Sequence, residues 1–221
     1  MFLAQLKMKG FMYDPQVSSS PILVTNLPRP VAQTNHALIR VLRAGICRTD
    51  LEICDGYKDG YSGVLGHEFV GLVEDVNASN TIKQTWLNQR VIGEINIACM
   101  KCETCINSRR IDFKRNHCPN RSCLGILRKD GCFAEYITLP VENLYVVPHH
   151  IPDASAVFAE PLAAAYRIIE QNIIQRNDNV CIIGDGKLGL LVADVLVHAL
   201  KEENVSVTMI GKHFEKLDLG T

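Results

Sequence analysis

A chain of 221 residues is long enough to bury a hydrophobic core and to form one large or two modest domains. A hydrophobic content of 47% and a charged content of 21% are typical of a globular protein, and a net charge of −1 gives no electrostatic basis for binding nucleic acid or an anionic membrane. No apolar run is long enough to cross a bilayer, and polar residues interrupt the first ten positions where a secretory signal would be apolar. We therefore expect a cytoplasmic protein.

The first part of the chain is rich in short predicted strands. They lie at 36–41, 71–76, 133–139 and 143–147, where the pattern of apolar residues suits half-buried strands, and glycines and prolines separate them. Many short strands with turn signals are typical of a barrel or a sandwich. We assign this domain to residues 1–150.

A dispersed group of metal-ligand residues lies within this domain. Cys47 comes first, and His67 with Glu68 follows later in the chain. Each residue alone is more often a packing residue than a ligand. Cys47, His67 and one carboxylate would together supply the three protein ligands of a catalytic zinc, which keeps one position open for water or substrate. Spacing alone does not decide between the two interpretations.

A compact group of cysteines follows: Cys99, Cys102 and Cys105. The chain has nine cysteines, an odd number, and the two-residue gaps between these three favour thiolates on a metal over disulfides or buried thiols. A structural zinc has four protein ligands in a tetrahedral arrangement. Cys118 is the natural fourth ligand, and His117 and Cys123 are alternatives.

Near Pro152 the pattern changes from strand to helix. Asp153 is a suitable N-cap, and 154–171 is dense in alanine, leucine and isoleucine. Pro161 predicts a short helix, a break and then a longer helix, with Glu160 at the break and its side chain free to face a site. This change marks the second domain, residues 151–221.

A glycine-rich turn follows an apolar strand predicted at 180–183. The first glycine suits the tight turn, the second lets the backbone approach a pyrophosphate, and the third lets helix and strand pack closely. N–H groups at the helix start favour phosphates. We therefore predict dinucleotide binding at Gly184, Gly186, Lys187, Leu188 and Gly189. The alternative is a turn without a ligand.

The helix after this turn is predicted to bury a face formed by Leu188, Val192, Val195 and Ala199. The next strand is predicted at 205–210, which completes about one βαβ unit. A doubly wound nucleotide domain contains two βαβαβ halves. We therefore interpret the chain as a C-terminally truncated form or a fragment.

The residues after the last predicted strand bear on the choice of cofactor. NAD-binding domains usually carry an acid there for the ribose hydroxyls. This chain has Gly211, Lys212 and His213 instead, and the two basic residues could face a 2′-phosphate. This favours NADP over NAD; the alternative is that Lys212 is only a solvated surface charge.

Five segments, taken in order, resemble the zinc-dependent medium-chain alcohol dehydrogenase superfamily: GICRTDLEI, GHEFVGLVE, the cysteine triplet, FAEPLAAA and VCIIGDGKLG. The resemblance covers nearly the whole chain. It implies an α+β protein with an N-terminal GroES-like β-barrel domain and an incomplete Rossmann domain. A carboxylate at Glu160, where many alcohol dehydrogenases have cysteine, resembles the polyol-, sorbitol- and threonine-dehydrogenase branches.

The resemblance also implies roles for individual residues. Two zinc ions are expected per chain, the structural one on the four cysteines named above. Cys47, His67 and Glu160 are implied as ligands of the catalytic zinc, with Glu68 as an adjacent carboxylate that enters or supports its coordination shell. Thr49 matches the hydroxyl that starts a proton relay. The implied activity is hydride transfer between a small alcohol or polyol and NAD(P), by a homo-oligomer in the full-length family.

The chain departs from the family pattern in three respects. It ends before the rest of the nucleotide domain and the returning segment of the catalytic domain that the resemblance implies. Twelve residues separate Cys105 from Cys118, more than the family generally shows. The remaining cysteines fall where no ligand is expected, and we interpret Cys54, Cys123, Cys132 and Cys181 as packing residues. A truncated, inactive zinc-binding fragment is the alternative function. A zinc-free quinone-reductase-like enzyme is disfavoured by the metal-ligand residues.

Overall fold

The structure, a computed structural model, describes residues 6–57 and 60–218. It divides into two compact units, Met1–Phe158 and Ala159–Thr221. The division therefore falls later than the boundary predicted between residues 150 and 151. The strands of the first unit are β1 (Lys7–Tyr13), β2 (Ile22–Pro28), β3 (His36–Gly45), β4 (Gly63–Val64), β5 (Glu68–Asn77), β6 (Arg90–Gly93), β7 (Asn96–Ile97), β8 (Ser122–Cys123), β9 (Tyr136–Pro140) and β10 (Leu144–Val146). Its helices are α1 (Arg48–Cys54), α2 (Asn80–Trp86), α3 (Glu103–Asn107), α4 (Ile111–His117) and α5 (Asp153–Ala156).

The larger strands of the first unit lie in two antiparallel sheets. One has the order β2-β1-β4 and the other has the order β10-β6-β5-β3-β9. A single bridge between Gly10 and Ala134 connects β1 to the segment before β9. The predicted strands correspond to β3, β5, β9 and β10 with shifted ends. Strands β7 and β8 form a third, two-stranded sheet. We expected a barrel; in the described part of this unit the strands form these three sheets and no closed barrel.

The pairing of β3 with β5 builds the core and also positions the site. Their inward side chains, including Ala37, Ile39 and Val73, are completely buried. The pairing continues to the end of β3, where Gly45 lies opposite Glu68. Because α1 begins shortly after Gly45, the segment around Cys47 is brought next to the start of β5.

The break between the two predicted helices lies earlier than Pro161. Helix α5 ends at Ala156, and the next helix, α6, spans Ala159–Glu170. Pro161 is the third residue of α6, where a missing N–H costs little because the first-turn N–H groups have no acceptor within the helix. The prediction of Glu160 at a break was therefore wrong, since it lies in the first turn of α6.

Residues of α5 pack in the first unit, which explains the later boundary. Ala156 and the following Val157 are buried with Val70 of β5 and with Val147. The start of α5 also differs from the prediction, because Pro152 is the N-cap and Asp153 is the first helical residue.

The second unit contains the predicted βαβ arrangement. Its remaining elements are β11 (Asn179–Ile183), α7 (Lys187–Ala199), β12 (Ser206–Ile210) and α8 (Phe214–Leu217). Strands β11 and β12 pair in parallel, with Ile183 opposite Ile210. The sequence prediction of strand, helix and parallel strand is confirmed.

The predicted buried face of α7 was wrong at its two ends. Leu188 is 54% exposed and Ala199 is exposed, whereas Ala193, Val195 and Leu196 are buried. The observed stripe is shifted around the helix relative to the predicted one. Helix α7 contacts α6 as well as the two strands, so its apolar surface faces more than one neighbour.

The cysteines outside the two metal-ligand groups differ in environment. Cys123 and Cys132 are buried, which confirms their interpretation as packing residues, and Cys54 is half-buried. Cys181 is exposed, so the same interpretation was wrong for it. On β11 the residues at odd-numbered positions are exposed and Cys181 is one of them. No helix among the described residues combines the length and apolarity needed to span a bilayer.

Candidate metal centres and nucleotide-binding turn

The first candidate centre begins at the N-terminus of α1. Cys47 is the N-cap of this helix, with an extended backbone conformation, and Thr49 lies in the first helical turn. The Thr49 hydroxyl oxygen is 3.6 Å from the sulfur of Cys47. The hydroxyl that the family resemblance assigned to a proton relay therefore lies beside the candidate metal ligand.

The other ligands of this centre follow a tight turn at Gly66. Gly66 has a φ of +94°, and a β-carbon there would lie 2.4 Å from the ring of Phe133. The turn is also enclosed by backbone, since β-carbons at Gly125 or Gly131 would each lie 2.2 Å from the carbonyl oxygen of Gly66. This packing fixes the backbone conformation just before His67. The His67 side chain is 3% exposed.

Three donors of different chemistry meet at this point. The ligand atoms of Cys47, His67 and Glu68 all lie within 4.8 Å of one another. A thiolate, an imidazole and a carboxylate are donors that zinc accepts. Glu68 is 8% exposed, and its carboxylate lies over Gly45, where a β-carbon would be 2.2 Å from Oε2. The donor set and its spacing fit a zinc ion.

Asp50 connects the two segments that carry these donors. This carboxylate is 2% exposed, and its Oδ2 accepts a hydrogen bond of 2.9 Å from the backbone N–H of Cys47. Its Oδ1 accepts from the N–H of Gly66 at 3.2 Å and lies 3.4 Å from Nδ1 of His67. The contact with Nδ1 is at ion-pair distance and is not a formed hydrogen bond, so Asp50 places its charge beside the His67 ring. Sequence reasoning missed Asp50.

A signal for Asp50 was present in the sequence. A helix N-cap followed three residues later by an acid is the spacing at which an acidic side chain reaches back to the N-cap N–H. Cys47 and Asp50 have this spacing, and the hydrogen bond is formed. Glu160 belongs to the second unit, so its participation in this centre stays a prediction.

The second candidate centre consists of four cysteines. The sulfurs of Cys99, Cys102, Cys105 and Cys118 lie within 4.8 Å of one another. Cys102 is the N-cap of α3, Cys105 lies on α3, and Cys118 is the C-cap of α4. Helix α4 occupies most of the long gap before Cys118, which explains how the chain returns to the other three sulfurs. Of the alternative fourth ligands, His117 is exposed and Cys123 belongs to the main hydrophobic core.

The environments of these four thiols differ strongly. The backbone N–H of Lys101 is the main cause that lowers the pKa of Cys99 to about 6. Burial raises the pKa of Cys105 to about 12. A divalent cation is the partner that lets neighbouring buried thiols ionise together. The quartet therefore fits a closed structural zinc site with no open position.

Arg115 anchors the cysteine region to the sheet. The side chain is 6% exposed and donates to the carbonyl oxygen of Glu142 and, at 3.3 Å, to the hydroxyl of Tyr145. Arg115 lies on α4, within the twelve-residue gap between Cys105 and Cys118. This gap therefore contains a helix that is anchored to the sheet through Arg115.

The glycine-rich turn has the geometry that its spacing predicted. Gly184 has a φ of +114°, which L-residues with a side chain rarely adopt. A β-carbon at Gly189 would lie 2.1 Å from the carbonyl oxygen of Gly184, whereas one at Gly186 would meet nothing within 4 Å. Gly186 is the N-cap of α7. The turn therefore leaves open space at the helix start, where a phosphate would bind.

The loop after β12 is tied to this turn by Asp185. One oxygen, Oδ2, accepts hydrogen bonds from the backbone N–H of Lys212 at 2.9 Å and of His213 at 2.6 Å. Nδ1 of His213 lies 2.9 Å from the same oxygen. The pKa of Asp185 is lowered to about 2, mainly by the backbone N–H of His213. Asp185 is therefore a carboxylate at neutral pH.

An apolar cavity of about 680 Å³ lies elsewhere in the first unit. Its wall includes Phe11 and Leu23 from the first sheet, Leu51 from α1, and Phe133. Asp50 also lines it, but Cys47, His67 and Glu68 are not among the described residues of its wall. The cavity therefore lies next to the candidate centre, on the side of Asp50.

Comparison with known proteins identifies the relatives of this chain. Residues 33–149 match the alcohol dehydrogenase GroES-like domain. L-threonine 3-dehydrogenase of Xanthomonas campestris pv. campestris (strain B100) is 33% identical over 213 residues, which are 92% of this chain and 59% of the relative. The enzyme of the same name from Streptomyces coelicolor is 35% identical over 204 residues, 89% of this chain and 55% of the relative. The chain thus spans less than two thirds of the length of these curated relatives.

Solved structures give the same assignment. A structure described as a short-chain alcohol dehydrogenase from Escherichia coli CFT073, complexed with NADH, has a TM-score of 0.81 and 27% identity, covering 96% of this chain and 59% of that one. A structure described as a zinc-binding dehydrogenase from Sinorhizobium meliloti 1021, bound to NADP, has a TM-score of 0.78 and 27% identity, covering 98% and 59%. With the family match over residues 33–149, these likenesses show that the chain belongs to the alcohol dehydrogenase GroES-like domain family, within the zinc-dependent medium-chain dehydrogenases.

Proposed function

We propose that this chain forms the zinc-binding part, and the first βαβ unit of the nucleotide-binding part, of an NAD(P)-dependent alcohol dehydrogenase. The observation that carries the proposal is the meeting of Cys47, His67 and Glu68 within 4.8 Å, with the Thr49 hydroxyl beside the sulfur. A catalytic zinc needs three protein donors and an open position. Family membership supports the same chemistry.

The proposed catalytic zinc is held by Cys47, His67 and Glu160, with Glu68 as the carboxylate that enters or supports the shell. A zinc ion bound there acts as a Lewis acid that acidifies a bound alcohol, and a bound nicotinamide accepts the hydride. The Thr49 hydroxyl would accept the alcohol proton and release its own proton to water, as the first step of a relay. Asp50 places a carboxylate 3.4 Å from Nδ1 of His67, which favours a ring orientation with Nε2 towards the metal.

The proposed substrate is a small alcohol or polyol, and the proposed cofactor is NADP in preference to NAD. L-Threonine belongs among the substrates to be tested, because relatives with 33% and 35% identity carry the name L-threonine 3-dehydrogenase. The preference for NADP is supported by Gly211, which offers no acid to the ribose, and by the exposed side chain of Lys212.

Variants of the first centre test this proposal. Cys47→Ser and His67→Gln are expected to abolish reduction of NAD(P) by a panel of alcohols, polyols and L-threonine, and to remove one of two zinc ions per chain. Cys54→Ser is the matched control, since Cys54 is a half-buried thiol at the other end of α1. Zinc content is measured by mass spectrometry and turnover by absorbance of the reduced cofactor.

Two outcomes of these measurements distinguish a dehydrogenase from a zinc-binding protein without catalysis, and a variant of the cysteine quartet tests the second zinc site. Unchanged zinc content and turnover in Cys47→Ser would contradict the proposal. Two bound zinc ions with no turnover on any substrate in the wild type would favour the alternative, a zinc-binding protein without catalysis. Cys102→Ser is expected to remove the other zinc ion and to lower the free energy of unfolding, because structural zinc contributes folding free energy.

The carboxylate ligand is tested separately. We expect Glu160→Gln to weaken zinc binding at the catalytic centre more than Glu68→Gln does. Glu170→Gln is the control on the same helix, because Glu170 is exposed and paired only with Arg167 on the surface. Weaker zinc binding in Glu68→Gln than in Glu160→Gln would reverse the assignment of the two carboxylates.

A further inference from the structure

One buried thiol contacts the turn that carries two of the donors of the first centre. Cys132 is 1% exposed and belongs to the main hydrophobic core. Its sulfur lies 3.4 Å from the backbone carbonyl oxygen of Glu68. A carbonyl oxygen only accepts hydrogen bonds, so the thiol is the donor in this contact. Packing in the core therefore does not account for all the contacts of Cys132.

The backbone of Cys132 makes a second contact with the same turn. Its N–H donates to the carbonyl oxygen of Gly66 at 2.8 Å. Cys132 therefore holds the peptide before His67 through its N–H and the peptide after Glu68 through its thiol. The two residues between these peptides, His67 and Glu68, supply two of the three donors of the first centre.

The neighbours of Cys132 are paired with the residues that lead into the turn. The N–H of Gly131 donates to the carbonyl oxygen of Val64 at 2.7 Å. The N–H of Phe133 donates to the carbonyl oxygen of Leu65 at 2.9 Å. Cys132 is thus presented to the turn by a segment that is itself hydrogen-bonded to it, so the position of the thiol is fixed by three consecutive backbone contacts.

The position of the clamped peptides decides where the donor atoms can reach. Side chains rotate from a fixed Cα, so a shift of the backbone would move the Glu68 carboxylate and the His67 ring relative to Cys47. Donor groups must be held within about 0.5 Å of the required geometry, and residues behind the ligands provide this support. Among the described residues, Cys132 is not part of the donor group, so support is the role open to it.

We propose that Cys132 is a positioning residue of the first centre, whose thiol and N–H hold the backbone of His67 and Glu68 so that both donors point to one metal ion. This inference rests on the proposed function, because it requires a metal ion at that centre. Cys132 acts through the main chain of the two ligands and does not itself touch the ion.

Three substitutions of Cys132 separate hydrogen bonding from packing. Cys132→Ala removes the thiol donor and keeps the N–H, and Cys132→Val fills the space without a donor. Both are expected to bind zinc at the first centre about 2- to 5-fold more weakly, the effect of losing one weak hydrogen bond. Cys132→Ser keeps a side-chain donor and is expected to bind zinc like the wild type.

Two measurements on the full chain report on the first centre. Competition with a fluorescent zinc chelator gives its affinity, with zinc on the cysteine quartet as the internal reference. Cobalt(II) at the first centre, with zinc kept on the quartet, gives visible absorption bands that depend on the geometry of the donors. These bands are expected to shift in Cys132→Ala and Cys132→Val and to keep their wild-type positions in Cys132→Ser.

A matched control is available in the same core. Cys123 is also a buried thiol of the main hydrophobic core and lies on β8. Cys123→Ala is expected to lower stability in urea denaturation without changing the zinc affinity or the cobalt bands of the first centre. Equal weakening of zinc binding by Cys123→Ala and Cys132→Ala would assign the effect to core packing and would overturn the inference.

The outcomes distinguish this inference from the function on which it rests. If wild type binds zinc at the first centre and Cys132→Ala binds it as tightly, the inference is wrong and the metal centre stands. Wild-type affinity in Cys132→Val together with weaker binding in Cys132→Ser would also overturn it. If wild type binds no zinc at the first centre, the proposed function fails as well. Should Cys132→Ala and Cys132→Val not fold, Cys132→Ser decides: wild-type affinity and bands support the inference, and a 2- to 5-fold loss of affinity, about the effect of one weak hydrogen bond, overturns it.

Discussion

Replacing Asp50 tests whether one carboxylate stabilises the proposed catalytic centre. In Asp50→Ala the N–H groups of Cys47 and Gly66 lose their acceptor in a buried environment, and each unsatisfied buried group costs about 1–3 kcal/mol. The two together predict a decrease of about 2–6 kcal/mol in the free energy of unfolding of the zinc-free protein. Losing the carboxylate that lies 3.4 Å from Nδ1 of His67 also predicts about 10- to 100-fold weaker zinc binding at this centre.

Urea denaturation with a chelator present measures the first effect, and competition with a fluorescent zinc chelator measures the second. Asp75→Ala is the control, because Asp75 is 53% exposed and forms a surface ion pair with Lys83 whose contribution is expected to be about 0–1 kcal/mol. Zinc on the cysteine quartet serves as an internal reference and is expected to be unaffected. The reasoning is refuted if Asp50→Ala unfolds like Asp75→Ala, or if its catalytic centre binds zinc like the wild type.

Three further predictions follow from individual contacts. Gly45→Ala is expected to displace the Glu68 carboxylate, since the added carbon would lie 2.2 Å from Oε2. Zinc binding at the first centre is then expected to weaken while the cysteine quartet keeps its zinc. Unchanged zinc binding in the chelator competition would contradict this prediction. Gly189→Ala is expected to lower the stability of the second unit because its β-carbon would lie 2.1 Å from the Gly184 carbonyl oxygen, whereas Gly186→Ala is expected to stay folded, and thermal unfolding followed by circular dichroism compares the two. The pKa of Asp185 is lowered from 3.8 to about 2, so its stabilising effect is present above about pH 4 and is lost as pH falls towards 2; an acid titration of wild type against Asp185→Asn is expected to show a difference that disappears in that window.

Local patterns were sufficient to predict the parts of the sites that depend on spacing. The gaps between Cys99, Cys102 and Cys105 predicted a shared ion, and the structure brings their sulfurs together with that of Cys118. The glycine spacing predicted the turn and close helix packing, which the backbone of Gly184 and the contact at Gly189 confirm. These features are local because a few consecutive residues determine them.

Features that depend on tertiary packing could not be predicted in the same way. The first centre forms because Gly45 of β3 pairs with Glu68 of β5. The pattern of apolar residues in the sequence does not predict which residues of the two strands pair. The shifted buried face of α7 depends on its contacts with α6 as well as with the strands. The helix break was misplaced because a proline was treated as a break, although the first turn of a helix accepts it.

The enclosure of Gly66 by Gly125 and Gly131 restricts how the backbone around the first candidate centre can move. Backbone atoms pack directly against backbone atoms here, so no side-chain rotation can relieve the contact. The turn before His67 is therefore expected to be rigid. Any exchange of ligands at a zinc ion bound there would then come from rotation of side chains about their own bonds. The Glu68 carboxylate over Gly45 is a donor that could rotate in this way without a change in the turn at Gly66.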